Sequence, residues 1–250
     1  MFKQIMTLVA CAAIVSACAS KPYAPTPFDR QASGVNTVRV IEDAAPAEPV
    51  VRKLATTGGN MASAMGSAGL AGAFAGLIVA GVEASVAANQ QARLRAALAS
   101  QQFDAEAVFD RALEETLKGQ SLQVETLAIA RDPKVRVLPI KADAGAAGAG
   151  VLDVQVLAYG YQLVGGVGIW RPFVDVKVRM VDAVDPTKVL LDNAVTYNAV
   201  APLAQTITIA ADDAYGFDKI ENVESDPKKA AEGLTKALEA AAQAAGKLAQ

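Results

Sequence analysis

Residues 171–182, RPFVDVKVRMVD, carry a regular two-residue pattern. Its apolar and charged side chains alternate, with Val174, Val176, Val178 and Met180 set against Asp175, Lys177 and Arg179. A period of two places these two sets on opposite faces of one β-strand. The pattern predicts a half-buried antiparallel strand whose charged side chains face solvent.

The neighbouring segments extend this strand into a meander. The turn DPT, residues 185–187, leads into KVLLDNAVTYNA, residues 188–199, so these two strands are expected to form a hairpin. The preceding run VLDVQVLAYGYQLV, residues 151–164, also begins with alternating apolar residues. Three long strands in series predict an antiparallel sheet with one apolar face. Shorter strands are predicted at residues 35–41, 49–55 and 121–131.

Two amphipathic helices are available to cover that apolar face. In FDAEAVFDRALEETLKG, residues 103–119, Asp104 is the predicted N-cap and Gly119 the predicted stop. Asp226 is expected to cap the last helix, and Pro227 to occupy its first turn. The apolar stripe of that helix comprises Ala230, Ala231, Leu234, Leu238, Ala241, Ala245 and Leu248. The sequence predicts an α+β fold, a two-layer sandwich of a largely antiparallel sheet covered by amphipathic helices.

An Ala/Gly-rich segment, predicted to be helical at about residues 61–88, interrupts this pattern. It carries no charge from Met61 to Val82, a length that could span a bilayer. Small residues recur every four positions and allow helices to pack closely, which makes Ala68, Gly72, Gly76 and Ala80 the helix-packing candidates. Three alternatives stay open, namely a helix packed on its own domain, a helix packed in an oligomer, and a membrane-inserted helix.

The N-terminus has the layout of a signal peptide. Lys3 supplies a positive charge, Ile5 to Val15 is uncharged and mostly apolar, and VSAC ends the run at Cys18. This segment resembles a bacterial lipobox, in which cleavage precedes the cysteine and the cysteine is then acylated with fatty acids such as palmitate. The resemblance implies a lipoprotein signal peptide at 1–17 and an acyl anchor at Cys18. The alternative is an N-terminal helix with two incidental cysteines.

The residues after the cysteine predict a tether and a cellular location. ASKPYAPTPFDRQASG, residues 19–34, contains three prolines and several small polar residues. It predicts a flexible tether, residues 18–34 with the lipidated cysteine, before a single domain at 35–250. Because alanine and not aspartate follows Cys18, the lipobox resemblance implies an outer-membrane location facing the periplasm of a Gram-negative bacterium.

Composition excludes several classes of function. The chain has no histidine, so a Ser-His-Asp triad cannot form and a His-containing zinc site is excluded. Both cysteines lie in the N-terminal segment, so no disulfide is expected within the domain. A formal net charge of −3 without a basic stripe makes nucleic acid an unexpected partner. We expect no metal, no cofactor and no catalytic residues, and a carboxylate-based enzyme is the remaining enzymatic alternative.

An aromatic cluster is the candidate for binding a partner. It flanks the loop VGGVGIWRPF and comprises Tyr159, Tyr161, Trp170 and Phe173, and the adjacent Arg171 is the fifth partner-binding candidate. Trp, Tyr and Arg are the residue types that most often anchor interfaces. The alternative is that the aromatic side chains pack over one end of the sheet. An acidic loop at 211–226 is expected to be solvated, because its spacing does not match a calcium-binding EF-hand.

Three segments between about residues 100 and 250 carry a second resemblance, namely FDRALEETLKG, VDVKVRMVDAVDPTKVLLDNAV and KAAEGLTKALEAAAQAAGKLA. In their pattern and order they resemble a group of envelope lipoproteins that includes the curli secretion channel subunit and the lipoprotein activators of penicillin-binding proteins. The resemblance implies a non-catalytic accessory or assembly factor that binds another envelope component. The alternative is a subunit of an oligomeric outer-membrane secretion channel, assembled through the Ala/Gly-rich helix.

Overall fold

The computed structural model describes residues 24–54, 83–129, 138–141, 146–164, 168–199 and 206–250. The α-helices in these ranges are α1 (Arg30–Ser33), α2 (Glu83–Ser100), α3 (Ala105–Gly119) and α4 (Pro227–Lys247). The strands are β1 (Thr37–Ile41), β2 (Val50–Leu54), β3 (Gln123–Leu127), β4 (Ala149–Val164), β5 (Arg171–Asp182), β6 (Val189–Tyr197) and β7 (Ile207–Ile209). Two short 3-10 helices, Asp213–Tyr215 and Ile220–Val223, precede α4.

The seven strands form one mixed sheet. Its order is β3-β1-β4-β5-β6-β7, and β2 pairs with the far end of the long strand β4. The pairings of β4 with β5 and of β5 with β6 are antiparallel, which confirms the predicted meander and hairpin. The flanking pairings are parallel. These parallel pairings leave no local signal in the sequence, because parallel partners are joined by long connections and not by a local turn.

The helices α2, α3 and α4 pack on one face of this sheet. Leu94 of α2, Phe109 of α3 and Leu234 of α4 are buried in the same cluster as the apolar side chains of the meander. The predicted apolar set of β5 lies in that cluster and is fully buried. The α+β two-layer sandwich is therefore confirmed, with the hydrophobic core between the helix layer and one face of the sheet.

The boundaries of α3 and α4 follow from their caps. The carboxylate of Asp104 accepts a hydrogen bond of 3.0 Å from the N–H of Ala107, and α3 ends at Gly119 as predicted. The carboxylate of Asp226 accepts one of 3.0 Å from the N–H of Lys229 at the start of α4. A capping carboxylate satisfies an N–H that the first turn leaves unpaired. Local chemistry thus fixes where both covering helices begin.

The N-terminal segment docks onto the domain earlier than predicted. Thr26 pairs with Asp192 of β6 through two backbone hydrogen bonds of 2.8 and 3.0 Å, and Phe28 packs against the main core. The prolines at 25 and 27 lack an N–H but only flank Thr26, so this pairing is possible. The predicted tether at 18–34 is therefore corrected, because the chain is attached to the sheet from Thr26 onward.

Several predicted features lie outside the described residues. They are the lipidation candidate and the helix-packing candidates, namely Cys18, Ala68, Gly72, Gly76 and Ala80. Of the predicted Ala/Gly-rich helix, the structure describes only the part that belongs to α2, from Glu83 onward. Among the described helices, none has the length and apolar character needed to cross a membrane.

Candidate functional site

The face of the sheet that turns away from the helices carries a polar cluster, which comprises the buried Gln162 and Asp175 and the partly buried Arg52 and Asn198, with the ring of Phe173 packed against it. Arg52 of β2 is the register partner of Gln162 of β4, so both side chains point to this face. Asp175 of β5 was predicted to face solvent, but it is fully buried. The prediction fails because β2 pairs with β4 from a distant part of the chain and places Arg52 against Asp175.

Arg52 is held by three different groups. Its Nη1 donates to Oδ2 of Asp175 at 2.8 Å, and its Nε donates to Oε1 of Gln162 at 2.9 Å. Its guanidinium lies over the ring of Phe173, with Cζ 3.6 Å from the ring centroid, as in a cation–π contact. Nε2 of Gln162 donates in turn to the carbonyl oxygen of Asn198 after β6. The cluster therefore joins β2, β4, β5 and the end of β6.

Two opposing effects act on the pKa of Asp175 in the polar cluster. Burial raises the pKa of the Asp175 carboxyl, and the adjacent Arg52 charge and hydrogen bond lower it. Two atoms of the cluster, Oδ1 of Asp175 and Nδ2 of Asn198, make no hydrogen bond with any described residue. A buried acceptor and a buried donor can be satisfied by a water or by a small polar group. The arrangement can therefore position such a group beside Asp175 and Asn198.

The aromatic partner-binding candidates are core residues. Tyr159, Tyr161, Trp170 and Phe173 are each at most 4% exposed. The hydroxyl of Tyr161 donates toward the carbonyl oxygens of Tyr215 and Ala230 at 3.3 Å, under the helix layer. Burial contradicts the prediction of an exposed anchor made of these four aromatics. They pack over one end of the sheet, which is the alternative that the sequence left open.

The remaining partner-binding candidate, Arg171, is partly exposed. Its side chain is 33% exposed and forms an ion pair with Asp213, which is itself 69% exposed. Of the predicted anchor, only the Arg171 guanidinium reaches the surface.

The two buried tyrosines are neutral. Burial raises the pKa of Tyr159 to about 12, and burial also raises the pKa of Tyr161. Both tyrosines are therefore neutral packing groups at physiological pH.

Acidic residues of the loop at 211–226 cap helices or form ion pairs. Asp212 caps the first 3-10 helix, and Asp226 caps α4. Glu224 pairs with Arg93 of α2 at 2.6 Å. Within the described ranges, no group of three or more acidic residues is arranged to hold a metal ion. Glu224 thereby joins the loop to α2, and Asp226 defines the start of α4.

A carboxylate pair on α3 was missed by sequence analysis. The carboxylate of Glu106 accepts hydrogen bonds of 2.6 and 2.5 Å from the N–H groups of Ala44 and Ala45. It thereby fastens the loop between β1 and β2 to α3. Asp110 follows one turn later on the same helix face and hydrogen-bonds to Glu106. The four-residue spacing of Glu106 and Asp110 places both on one helix face, but acidic residues at this spacing usually indicate a face exposed to solvent.

Asp110 is expected to make the stability of the fold depend on pH. Burial, followed by the charges of Glu106, Asp43 and Glu42, raises its pKa to about 7. A carboxyl whose pKa is raised on folding stabilises the folded state while protonated, and this stabilisation is lost as the pH rises toward 7. Asp110→Asn is expected to raise the free energy of unfolding by about 1–2 kcal/mol near pH 8, a figure reduced for partial exposure. Near pH 4 we expect little change.

Urea unfolding of the Asp110→Asn variant at both pH values measures this difference. The matched control is Glu115→Gln, which removes an exposed carboxyl from the same helix. Its effect on the free energy of unfolding is expected to be the same at both pH values. An effect of Asp110→Asn that does not change with pH would contradict the assignment.

Comparison with known proteins finds no relative, since no family model, no curated protein and no solved structure matches the chain. The resemblance to envelope lipoproteins therefore remains a prediction from the sequence pattern. A function can be proposed from two features of the chain itself. One is the order of residues before Cys18, and the other is the way in which the N-terminal segment joins the domain.

Proposed function

We propose that the protein is a lipid-anchored envelope lipoprotein whose domain is a non-catalytic accessory or assembly factor. The observation that carries the proposal is the order of charge, apolar run, small residues and cysteine that ends at Cys18. Two or more acyl chains on that cysteine anchor a protein stably, because each buried methylene contributes about 0.8 kcal/mol. The proposed location is the periplasmic face of the outer membrane.

The proposed mechanism is tethering. Thr26, the residue that pairs with β6, lies eight positions after Cys18, with seven residues between them. A fully extended chain of that length reaches at most about 28 Å, so the domain stays close to the bilayer. Confinement raises the effective concentration of the domain for a membrane-bound partner. The partner in this proposal is another envelope protein.

The anchor is tested by substituting its cysteine. In a Gram-negative host, Cys18→Ser is expected to abolish both retention in the membrane fraction and labelling by radioactive palmitate. Cys11→Ser is the matched control, because the proposed cleavage removes Cys11 with the signal peptide, and it should retain both properties. A Cys18→Ser protein that stays in the membrane fraction would contradict the proposal.

A second candidate function is a subunit of an oligomeric secretion channel. It is favoured by the four-residue spacing of small side chains at 68–80, in the segment that precedes α2. Light scattering of the full chain carrying Cys18→Ser distinguishes the two candidates. A monomer favours the accessory factor. A discrete large oligomer that is lost when Gly72 and Gly76 are both replaced by Leu favours the channel.

A further inference from the structure

The loop between β1 and β2, residues 42–49, is held against α3 by the side chain of Glu106. Its carboxylate accepts hydrogen bonds of 2.6 and 2.5 Å from the N–H groups of Ala44 and Ala45. Hydrogen bonds to an ionised acceptor are roughly twice as strong as those between neutral groups. We call the loop docked when both of these hydrogen bonds are made.

The docked loop also pairs with β4. β1 pairs with β4 as far as Leu152, and β2 pairs with it from Gly160 onward. Between these two stretches, the carbonyl oxygen of Ala44 accepts a hydrogen bond of 2.8 Å from the N–H of Val156. The docked loop therefore satisfies a backbone N–H of β4 that neither strand reaches.

Four carboxyl groups meet where the loop docks on α3. Asp110 follows Glu106 by one helical turn and hydrogen-bonds to it. The charges of Asp43 and Glu42, at the start of the loop, also act on the Asp110 carboxyl. Like charges at a four-residue spacing on a helix repel each other. The loop and the helix therefore face each other with acidic groups.

The other elements that pack on α3 supply no cation to Asp110. These elements are α4 and β3. None of the ion pairs among the described residues includes Asp110. The charged groups nearby pair elsewhere, namely Glu239 of α4 with Arg111 and Lys236, Glu125 of β3 with Arg39, and Glu48 of the loop with Arg95 of α2.

From this arrangement we propose that the loop at 42–49 is a pH-sensitive switch, which is docked while Glu106 and Asp110 share one proton and is released when that proton is lost. While the proton is shared, Asp110 donates to Glu106 and the pair carries a single negative charge. Loss of the proton leaves two adjacent carboxylates opposite Asp43 and Glu42 of the loop, and like charges at such distances repel each other. The inference does not depend on the acyl anchor.

The pH range of the switch follows from the surroundings of Asp110. Burial, followed by the charges of Glu106, Asp43 and Glu42, raises the pKa of its carboxyl to about 7. Release of the loop returns Asp110 to water and removes two of these charges, so its pKa is lower in the released state. An acid whose pKa is higher in the docked state favours docking at low pH, and docking weakens as the pH rises through about 7.

Hydrogen exchange of single backbone amides tests the switch in the full chain carrying Cys18→Ser. From pH 6 to pH 8, after correction for the intrinsic exchange rate, the protection of the Ala44 and Ala45 amides is expected to fall about tenfold. The amide of Val156 is expected to lose protection with them, because it bonds to Ala44.

Two variants isolate the shared proton. Asp110→Asn keeps a hydrogen-bond donor beside Glu106 but has no proton to lose, so its loop amides are expected to keep their protection at pH 8. Glu115→Gln removes an exposed carboxyl from the same helix and is the matched control, in which the tenfold fall should remain.

Three results would overturn the switch. The first is equal protection of the Ala44 and Ala45 amides at pH 6 and pH 8. The second is a fall in their protection that persists in Asp110→Asn. The third is exchange of these amides at the rate of Val178 in the central strand β5, because the loop would then open only when the whole domain unfolds.

Discussion

Gly160→Ala is expected to lower the free energy of unfolding by about 3 kcal/mol or more. Gly160 of β4 lies opposite Val50 of β2, and its φ of +147° is strained for any residue with a β-carbon. A β-carbon there would lie 2.7 Å from the nitrogen of Val50 and would overlap the carbonyl oxygen of that residue. Because backbone atoms block the space, β2 has to separate from β4, and Arg52 is removed from the polar cluster.

Urea unfolding monitored by circular dichroism measures this loss. Gly119→Ala is the matched control, because no atom lies within 4 Å of a β-carbon at Gly119 and the residue ends α3. The control is expected to change the free energy of unfolding by no more than about 0.5 kcal/mol. A Gly160→Ala protein as stable as the unsubstituted chain would show that β2 does not pair with β4 at this point.

Arg52→Met is expected to destabilise the protein by about 3 kcal/mol or more. The substitution leaves the fully buried Asp175 without its ionic partner, so burial alone acts on that carboxyl. A pKa that burial raises in the folded state makes stability fall as the pH increases. The loss in the Arg52→Met protein is therefore expected to be larger near pH 8 than near pH 5.

Two further variants isolate the buried pair. Arg171→Met removes an arginine from the partly exposed pair with Asp213, and we expect it to cost less than about 1 kcal/mol. Combining Arg52→Met with Asp175→Leu removes both buried charges and is expected to recover part of the stability. Equal losses for the two arginine variants in urea unfolding would contradict the role of the polar cluster in holding β2.

The elements that could be predicted from the sequence are those specified by nearby residues. Asp104 and Gly119 bound α3, and Asp226 with Pro227 begins α4, because caps act within one turn. The hairpin of β5 and β6 follows from alternation on both sides of a short turn. Because both the covering helices and the strands can be predicted from local patterns, the two-layer arrangement can be predicted as well.

The parts that could not be predicted depend on contacts between distant residues. Asp175 looked solvent-facing because its strand alternates, and only the parallel pairing of β2 with β4 brings Arg52 to it. The aromatic side chain of Trp170 looked exposed at a loop, but its backbone pairs with Phe217, far along the chain. Thr26 looked like part of a tether, because edge pairing with Asp192 leaves no periodic pattern in a proline-containing segment.

Mass spectrometry of the N-terminal peptide, with protein purified from the membranes of a Gram-negative host, tests whether Cys18 carries the lipid anchor. Lys21 precedes a proline, so the first tryptic peptide of the mature chain is expected to span residues 18–30. The proposed function predicts that this peptide begins at Cys18 and carries the mass of attached acyl chains. A peptide that retains residues before Cys18, or an unmodified Cys18, would contradict the lipid-anchored account.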